Sequence, residues 1–255
     1  MDTAPMFIKL HLPKFFIMEQ VSAFSTLKHQ KAKNSLMKKL RSIKLKNKKG
    51  KAYHISERLL KTNEISCPHS RRPPCQKRMR LFLVGMRKDI PQYRNFQWPR
   101  CLGPPLRLEE VLDNCTDDGL LADHEELRTS TEKRNWARLV EKWAASKESL
   151  AVPTVCDLGA SEAFGTHSTT DSCPTITRTR ASSFQFWVAK KVNDRFLHRR
   201  IRVHEYGKLQ GWPEGEIKHL KAAFSDRQLG GYFGNGFSFN VIQALLNELV
   251  LLDAY

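Results

Sequence analysis

Apolar and polar positions along the chain change period several times, and each change marks an element. In "KFFIMEQV" (14–21) a short apolar, aromatic run closes on Glu19, which predicts a buried strand. "NSLMKKLRSIKL" (34–45) places Leu36, Leu40 and Ile43 near one helical face with Lys and Arg elsewhere, which predicts an amphipathic helix followed by a Lys-rich turn. "AYHISERLL" (52–60) reads as a second strand, and the prolines of "SCPHSRRPP" (66–74) mark a loop. "RMRLFLVGMRKD" (78–89) reads as a third strand. On it Arg78 and Arg80 share a face, because strand side chains alternate with period two.

The pattern loosens after residue 90, where prolines stand at 91, 99, 104 and 105. "RLEEVLDNC" and "EKRNWARLVEKWAASKESL" read as helices. The second carries Trp136, Leu139 and Trp143 at helical spacing, a core stripe or a base-stacking surface. "PTVCDLGASEAFGTHSTTDS" reads as loop. Strands are expected again at "CPTITRTR" (173–180) and "SFQFWVAKKV" (183–192). A short helix around "VHEYGKLQ" is stopped by Gly211 and Pro213. "GGYFGNG" reads as a glycine-rich turn before the apolar helix "SFNVIQALLNELVLL", and glycines so placed let a ligand approach the backbone.

Composition narrows the function classes. The chain has 255 residues, 40% of them hydrophobic, enough for a packed core. Lys and Arg number 43 against 26 acidic residues, a formal charge of +17 that suits a polyanionic partner, most simply nucleic acid, or a soluble protein with a basic tail. Between Lys28 and Lys51 every charged side chain is Lys or Arg, a solvated face or a phosphate-contacting one. The cysteines at 67, 75, 101, 115, 156 and 173 show no CxxC spacing and no His pair completes a zinc pattern, so no metal site is expected and the thiols read as reduced and intracellular. No apolar run approaches the roughly 20 residues of a membrane span, and no membrane association is expected.

Four segments in order resemble motifs of the DNA (cytosine-5)-methyltransferase family. "FFIMEQV" resembles motif VI, a strand ending in Glu-Asn-Val. "QKRMRLFLVG" resembles motif VIII, Gln-x-Arg-x-Arg before an apolar strand. "RRIRVHEYGKLQGWPEG" resembles motif IX, and "GYFGNGFSFNV" resembles motif X. The resemblance implies an α/β fold: the C-terminal part of a Rossmann-like S-adenosylmethionine-dependent methyltransferase, its complete sheet mostly parallel, with a small target recognition domain inserted. It implies a partial catalytic domain over 1–90, a target recognition region over 91–172, and a return to the catalytic domain over 173–255. It further implies methyl transfer from S-adenosylmethionine to cytosine C5 of a flipped base. Glu19 falls at the carboxylate that holds the N3 edge of that base. Arg80 falls at the arginine that contacts base and phosphate, and Arg78 at the one that supports the site. Asn235 falls where the cofactor pocket is closed. Glu205 and Gln210 fall at positions that hold the recognition domain in place.

Departures accompany the matches. Gln20 stands where Asn is usual, His204 where Arg is usual, Trp212 where Phe is usual, and Phe237 and Phe239 where smaller residues are usual. The family's Phe-x-Gly-x-Gly cofactor turn and Pro-Cys-Gln nucleophile precede motif VI, and neither is found in this sequence ahead of Glu19. Cys75 lies in a Pro-Cys-Gln triplet but after Val21, in the wrong order, so it is expected to be an ordinary thiol, the motif being Gln76, Arg78 and Arg80. The expectations are therefore a truncated cytosine-5 methyltransferase whose isolated chain is inactive, its other half either lost or supplied by a second chain. The alternatives are an inactive nucleic-acid-binding remnant, or a relative that acts on tRNA. DNA is the expected partner, RNA the alternative. The location would be intracellular, and nuclear in a eukaryote.

Overall fold

Three strands build the first sheet of the computed structural model, which describes residues 3–45, 50–66, 71–146, 151–161 and 167–253. They are β1 (Phe15–Val21), β2 (Tyr53–Lys61) and β3 (Met79–Arg87), in the spatial order β1-β3-β2. Both pairings are antiparallel, so β1 and β2 run parallel to each other with β3 reversed between them. The chain passes from β1 to β2 through helix α2 (Gln30–Ser42), the long crossover that two like-directed strands require. The mostly parallel sheet expected of the complete fold is thus represented among the described residues by antiparallel ladders, because β3 returns between two like-directed neighbours.

Both faces of this sheet are covered, which is why β3 reads as an unbroken apolar run. Phe16, Leu81 and Leu83 pack against Ile8 of α1 (Thr3–His11) and against Leu36, Met37 and Leu40 of α2. Phe82, Val84 and Met86 on the other face pack against Val241, Leu245 and Leu249 of α10 (Phe239–Asp253). The helix α1 has no counterpart in the sequence expectation; Pro5 and Ile8 are its buried residues.

A second sheet contains β4 (Thr154–Asp157), β5 (His167–Thr170), β6 (Phe186–Val192) and β7 (Arg195–Arg200), ordered β5-β4-β6-β7 with every pairing antiparallel. Residues 153–172, expected as loop, therefore contain two strands. They pair because β4 is buried on both faces, Cys156 beneath the helix α5 (Ser130–Ala145) and Val155 in the core that holds Val188 and Tyr206, rather than because of any strong alternation. Leu139 and Trp143 of α5 join Cys156, Leu158, Trp187 and Ala189 in one core, so the tryptophan stripe is packing surface. The ladder between β4 and β6 also crosses residue 172, the expected boundary between the recognition region and the returning catalytic domain.

Short helices complete the chain: α3 (Leu108–Val111), α4 (Asp117–Ala122), α6 (Arg178–Ser182), α7 (Val203–Leu209), α8 (Glu214–Ala223) and α9 (Asp226–Asn235). Gly211 ends α7 in the left-handed region at φ 79°. Two expectations fail here for one reason. Residues 178–182 are helical, not extended, and "GGYFGNG" is not a turn, since α9 runs through Gly230, Gly231 and Gly234 as far as Asn235. A Cβ at Gly230 would lie 2.6 Å from the Ala181 carbonyl oxygen, and one at Gly234 would lie 2.5 Å from the Arg178 amide nitrogen. The glycines let α6 and α9 touch backbone to backbone, which outweighs their helix-propensity cost of about 1 kcal/mol each. Ser225 and Gln228 close a capping box at the start of α9.

Candidate active site

Glu19 and Arg80 meet because of register. Glu19 is paired opposite Phe82 and Val21 opposite Arg80, so the two side chains are diagonal neighbours on the α10 face of the sheet. Arg80 Nε lies 3.3 Å from Glu19 Oε1, and Arg78 Nη2 lies 3.6 Å from the same oxygen. Neither distance is that of a short charge-assisted hydrogen bond. Glu19 Oε1 is buried and has no hydrogen-bond partner among the described residues. Burial raises the Glu19 pKa above its ordinary value, and the charges of Arg78 and Arg80 offset this only in part.

Arg78 is buried just ahead of β3 and is held from three sides. Its Nη1 donates to the carbonyl of Ile176 at 3.1 Å and of Gly234 at 3.4 Å, and its Nη2 donates to the carbonyl of Gly236 at 2.8 Å. Burial pulls its pKa down to about 10, which leaves it charged at neutral pH. Arg80 is also lowered by burial. One guanidinium thus connects the carboxylate on β1 to the turn that ends α9.

Asn235 lies in that turn, between the two glycines whose carbonyls Arg78 holds. It is exposed and opens onto a cleft of about 550 Å³ shared with Arg178 and Arg227. Of these residues only Asn235 suits S-adenosylmethionine, which the family resemblance implies; two guanidiniums with no carboxylate beside them do not suit its sulfonium. The Asn235 amide is exposed and makes no side-chain hydrogen bond among the described residues, so it is free to meet a polar ligand. The structure therefore brings together Glu19, Arg78 and Arg80 directly, and Asn235 through Arg78.

Gln76 is fully buried, and neither of its amide atoms is bonded among the described residues. Its neighbour Cys75 sits in the apolar core with Cys173, whose amide donates to the Cys75 carbonyl at 3.1 Å. Burial pushes the Cys75 thiol up to about 12, so it is protonated at neutral pH.

Glu205 and Gln210 are structural in geometry. Arg199 donates to both oxygens of Glu205, at 3.0 and 2.8 Å, and the backbone amides of Asp113 and Arg202 donate to it at 2.8 and 2.6 Å. Gln210 donates to the Phe233 carbonyl and accepts at its own backbone carbonyl from the Phe239 amide, tying α7 to α9 and α10. His204 and Lys208 both contact Asp113, at 2.5 and 2.9 Å. Sequence reasoning passed over Arg199 and Asp113, which look like two more charged residues in a polar segment. It also passed over Arg178 and Arg227, which come together only once α6 packs on α9.

Three solved structures share this fold. The methyltransferase EhMeth of Entamoeba histolytica is 12% identical with a TM-score of 0.53, over 95% of this chain and 64% of that one. The Dnmt2 methyltransferase of S. pombe is 14% identical with a TM-score of 0.51, over 100% and 74%. A DNMT2 mutant of Spodoptera frugiperda is 14% identical with a TM-score of 0.55, over 93% and 66%. The chain thus spans about two thirds of the length of two of these proteins. No curated protein matches it. Among the described residues no helix is long and apolar enough to cross a membrane. The family model for C-5 cytosine-specific DNA methylase matches residues 5–251, and the chain belongs to that family.

Proposed function

We propose that this chain carries the base-holding part of a cytosine-C5 methyltransferase site acting on DNA. One observation carries the reading: a buried carboxylate oxygen, Glu19 Oε1, stands between two guanidiniums without a hydrogen bond of its own. Such a group is costly to leave unmatched and is suited to a ligand that brings the missing donor or acceptor.

A flipped cytosine offers N3 to Glu19. When a thiolate adds to C6, the C5–C6 double bond opens, and the electron pair it releases is shared between C5 and the N3 side of the ring. Glu19, its pKa raised by burial, holds a proton more readily than an exposed carboxylate and hydrogen-bonds N3 as that charge develops. Arg80 reaches the base and its phosphate, and Arg78 fixes both Glu19 and the turn of Asn235. When bound beside Asn235, S-adenosylmethionine supplies the methyl group that C5 takes up. The second sheet with α5 serves as the region that reads the nucleic-acid sequence.

The thiolate comes from elsewhere than the described cysteines. Burial raises Cys75 to about 12 and Cys115 to about 11, and raises Cys156 and Cys173 as well. Cys101 is exposed in a loop and donates to the Gly103 carbonyl at 2.8 Å. The chain alone is accordingly expected to give no tritium incorporation from labelled S-adenosylmethionine.

Base extrusion can be read without that thiol. Pyrrolocytosine placed in a duplex brightens when it leaves the stack, so wild-type chain should raise its emission and Glu19→Ala should abolish the rise. An equal rise with Glu19→Ala would overturn the reading. DNA and RNA duplexes of one sequence separate the DNA substrate from the tRNA alternative.

A further inference from the structure

The cleft onto which Asn235 opens runs along α9. Arg227, Gly231 and Asn235 recur every fourth residue along α9 and form one stripe, about 12 Å long at the helical rise. Arg178 and Ser182 form the facing stripe on α6, and together the two helices enclose the groove of about 550 Å³. Its floor is backbone, because a Cβ at Gly231 would meet only Arg178, at 3.9 Å. Its lining includes no carboxylate.

Both arginines are exposed, and neither has an ion-pair partner among the described residues. The adjacent cleft makes a useful contrast. It too is lined by arginines, but Arg200 is bound to Glu132 at 2.7 Å and Arg202 to Asp123 at 2.9 Å, and Asp226 joins its wall. Arg200 and Arg202 are already engaged within the fold and a carboxylate stands in their cleft, whereas Arg178 and Arg227 share a groove with no carboxylate and are free to meet an outside anion. Tyr232 also lines the groove, 53% exposed, its ring held edge-on by Phe224 at 5.1 Å between centroids. Two unpaired guanidiniums call for phosphates. An oriented, exposed aromatic beside them calls for a base, which a simple anion does not have. A length of 12 Å accommodates about three nucleotides at the rise of one strand.

We propose that the groove between α6 and α9 binds a single nucleic-acid strand, Arg178 and Arg227 each pairing with a phosphate and Tyr232 stacking on a base. This rests on the reading of the chain as a nucleic-acid methyltransferase, and extends it from the target base to the strand that flanks it. The strand would run toward Gly236, where Arg78 links the groove to Glu19.

Fluorescence anisotropy of labelled dT12 and rU12 over a salt series tests it. Each phosphate contact on a single strand contributes about 0.7 to the slope of log affinity against log salt, so Arg178→Ala/Arg227→Ala should lower the slope by about 1.4. Tyr232→Ala should weaken binding roughly tenfold with the slope unchanged. Gly231→Glu, whose Cβ fits without a clash, should fill the groove with a like charge and abolish binding, while Gly231→Ala keeps it. An unaltered slope in the double arginine variant overturns the proposal. So does displacement of the oligonucleotide by S-adenosylmethionine, which would make the groove a cofactor site. If that slope is unaltered and the Glu19-dependent pyrrolocytosine signal persists, only the groove fails and the base-holding reading stands. If the slope falls and the pyrrolocytosine signal does not depend on Glu19, the groove stands and the base-holding reading fails.

Discussion

Two buried clusters of this protein pair glutamate with arginine and treat the pair in opposite ways. At Glu205 the carboxylate accepts from both arms of Arg199 and from two backbone amides, all within 3.0 Å. At Glu19 the arginines stand 3.3 and 3.6 Å away, and Oε1 is left without a bond. Arg78 directs its donors to the carbonyls of Ile176, Gly234 and Gly236 instead. Saturated hydrogen bonding marks a charge pair that fixes the fold; an unsaturated carboxylate held by rigid neighbours has an oxygen left over, the feature on which the proposed base-holding role rests.

The largest test of this contrast is to break the saturated pair. Glu205→Ala or Arg199→Ala leaves its partner charge buried and unmatched, which costs about 3–5 kcal/mol. Urea denaturation should show that loss; a cost below about 1 kcal/mol would mean that water reaches the cluster. Next in size is Gly234→Ala. Its methyl would press on the Arg178 amide at 2.5 Å, separating α6 from α9 at a cost of about 1–3 kcal/mol and loosening the carbonyl cage of Arg78. Retained stability there would show that the helices can part freely.

Acid titration should separate the clusters by sign. Asp113, whose amide serves Glu205, loses some solvation by burial, but the bonds from His204 and Lys208 outweigh this and hold its pKa down at about 2. Its contribution is present above the unfolded value near 3.8 and is lost as pH falls toward 2. For a pair this exposed it amounts to about 0.5–1 kcal/mol, and Asp113→Asn should flatten that part of the acid limb. Glu19 is raised, so its ionised form is a penalty at neutral pH that is relieved as pH falls through the raised value toward 4.5. The smallest effect is therefore Glu19→Gln, expected within about 1 kcal/mol of wild type at neutral pH. The stability of wild type relative to this variant should rise as the solution is acidified toward pH 4.5. A fall would mean that Glu19 is satisfied after all.

Much of the first sheet was legible beforehand. The apolar runs of β1 and β3, the strand β2, the amphipathic face of α2 and the apolar α10 are each set by local sequence, and the structure has these elements there. The motif order also led to the expectation that Glu19, Arg78 and Arg80 stand together, and both arginines lie within 3.6 Å of Glu19 Oε1, while Cys75 lies in an apolar core. Three segments were misread. "GGYFGNG" looks like a turn because glycine is a poor helix former, and it is a helix because Gly230 and Gly234 face the α6 backbone. "CPTITRTR" looks like a strand because of its Thr and Ile, yet Arg178–Ser182 coil against α9. The stretch from Pro153 to Ser172 looks like loop, yet β4 takes its place in the second sheet between β5 and β6.

The sequence by itself determined the family, the positive charge, the strand that ends in Glu19 and the residues gathered around it. These depend on residue identity and near-neighbour spacing, which are local. Only the tertiary structure decided that Glu19 would be under-bonded and Glu205 saturated, and that Arg178 and Arg227 would line one groove. Bond satisfaction and the meeting of distant charges depend on angles and ångströms between elements far apart in the chain, and those exist only after the helices have packed.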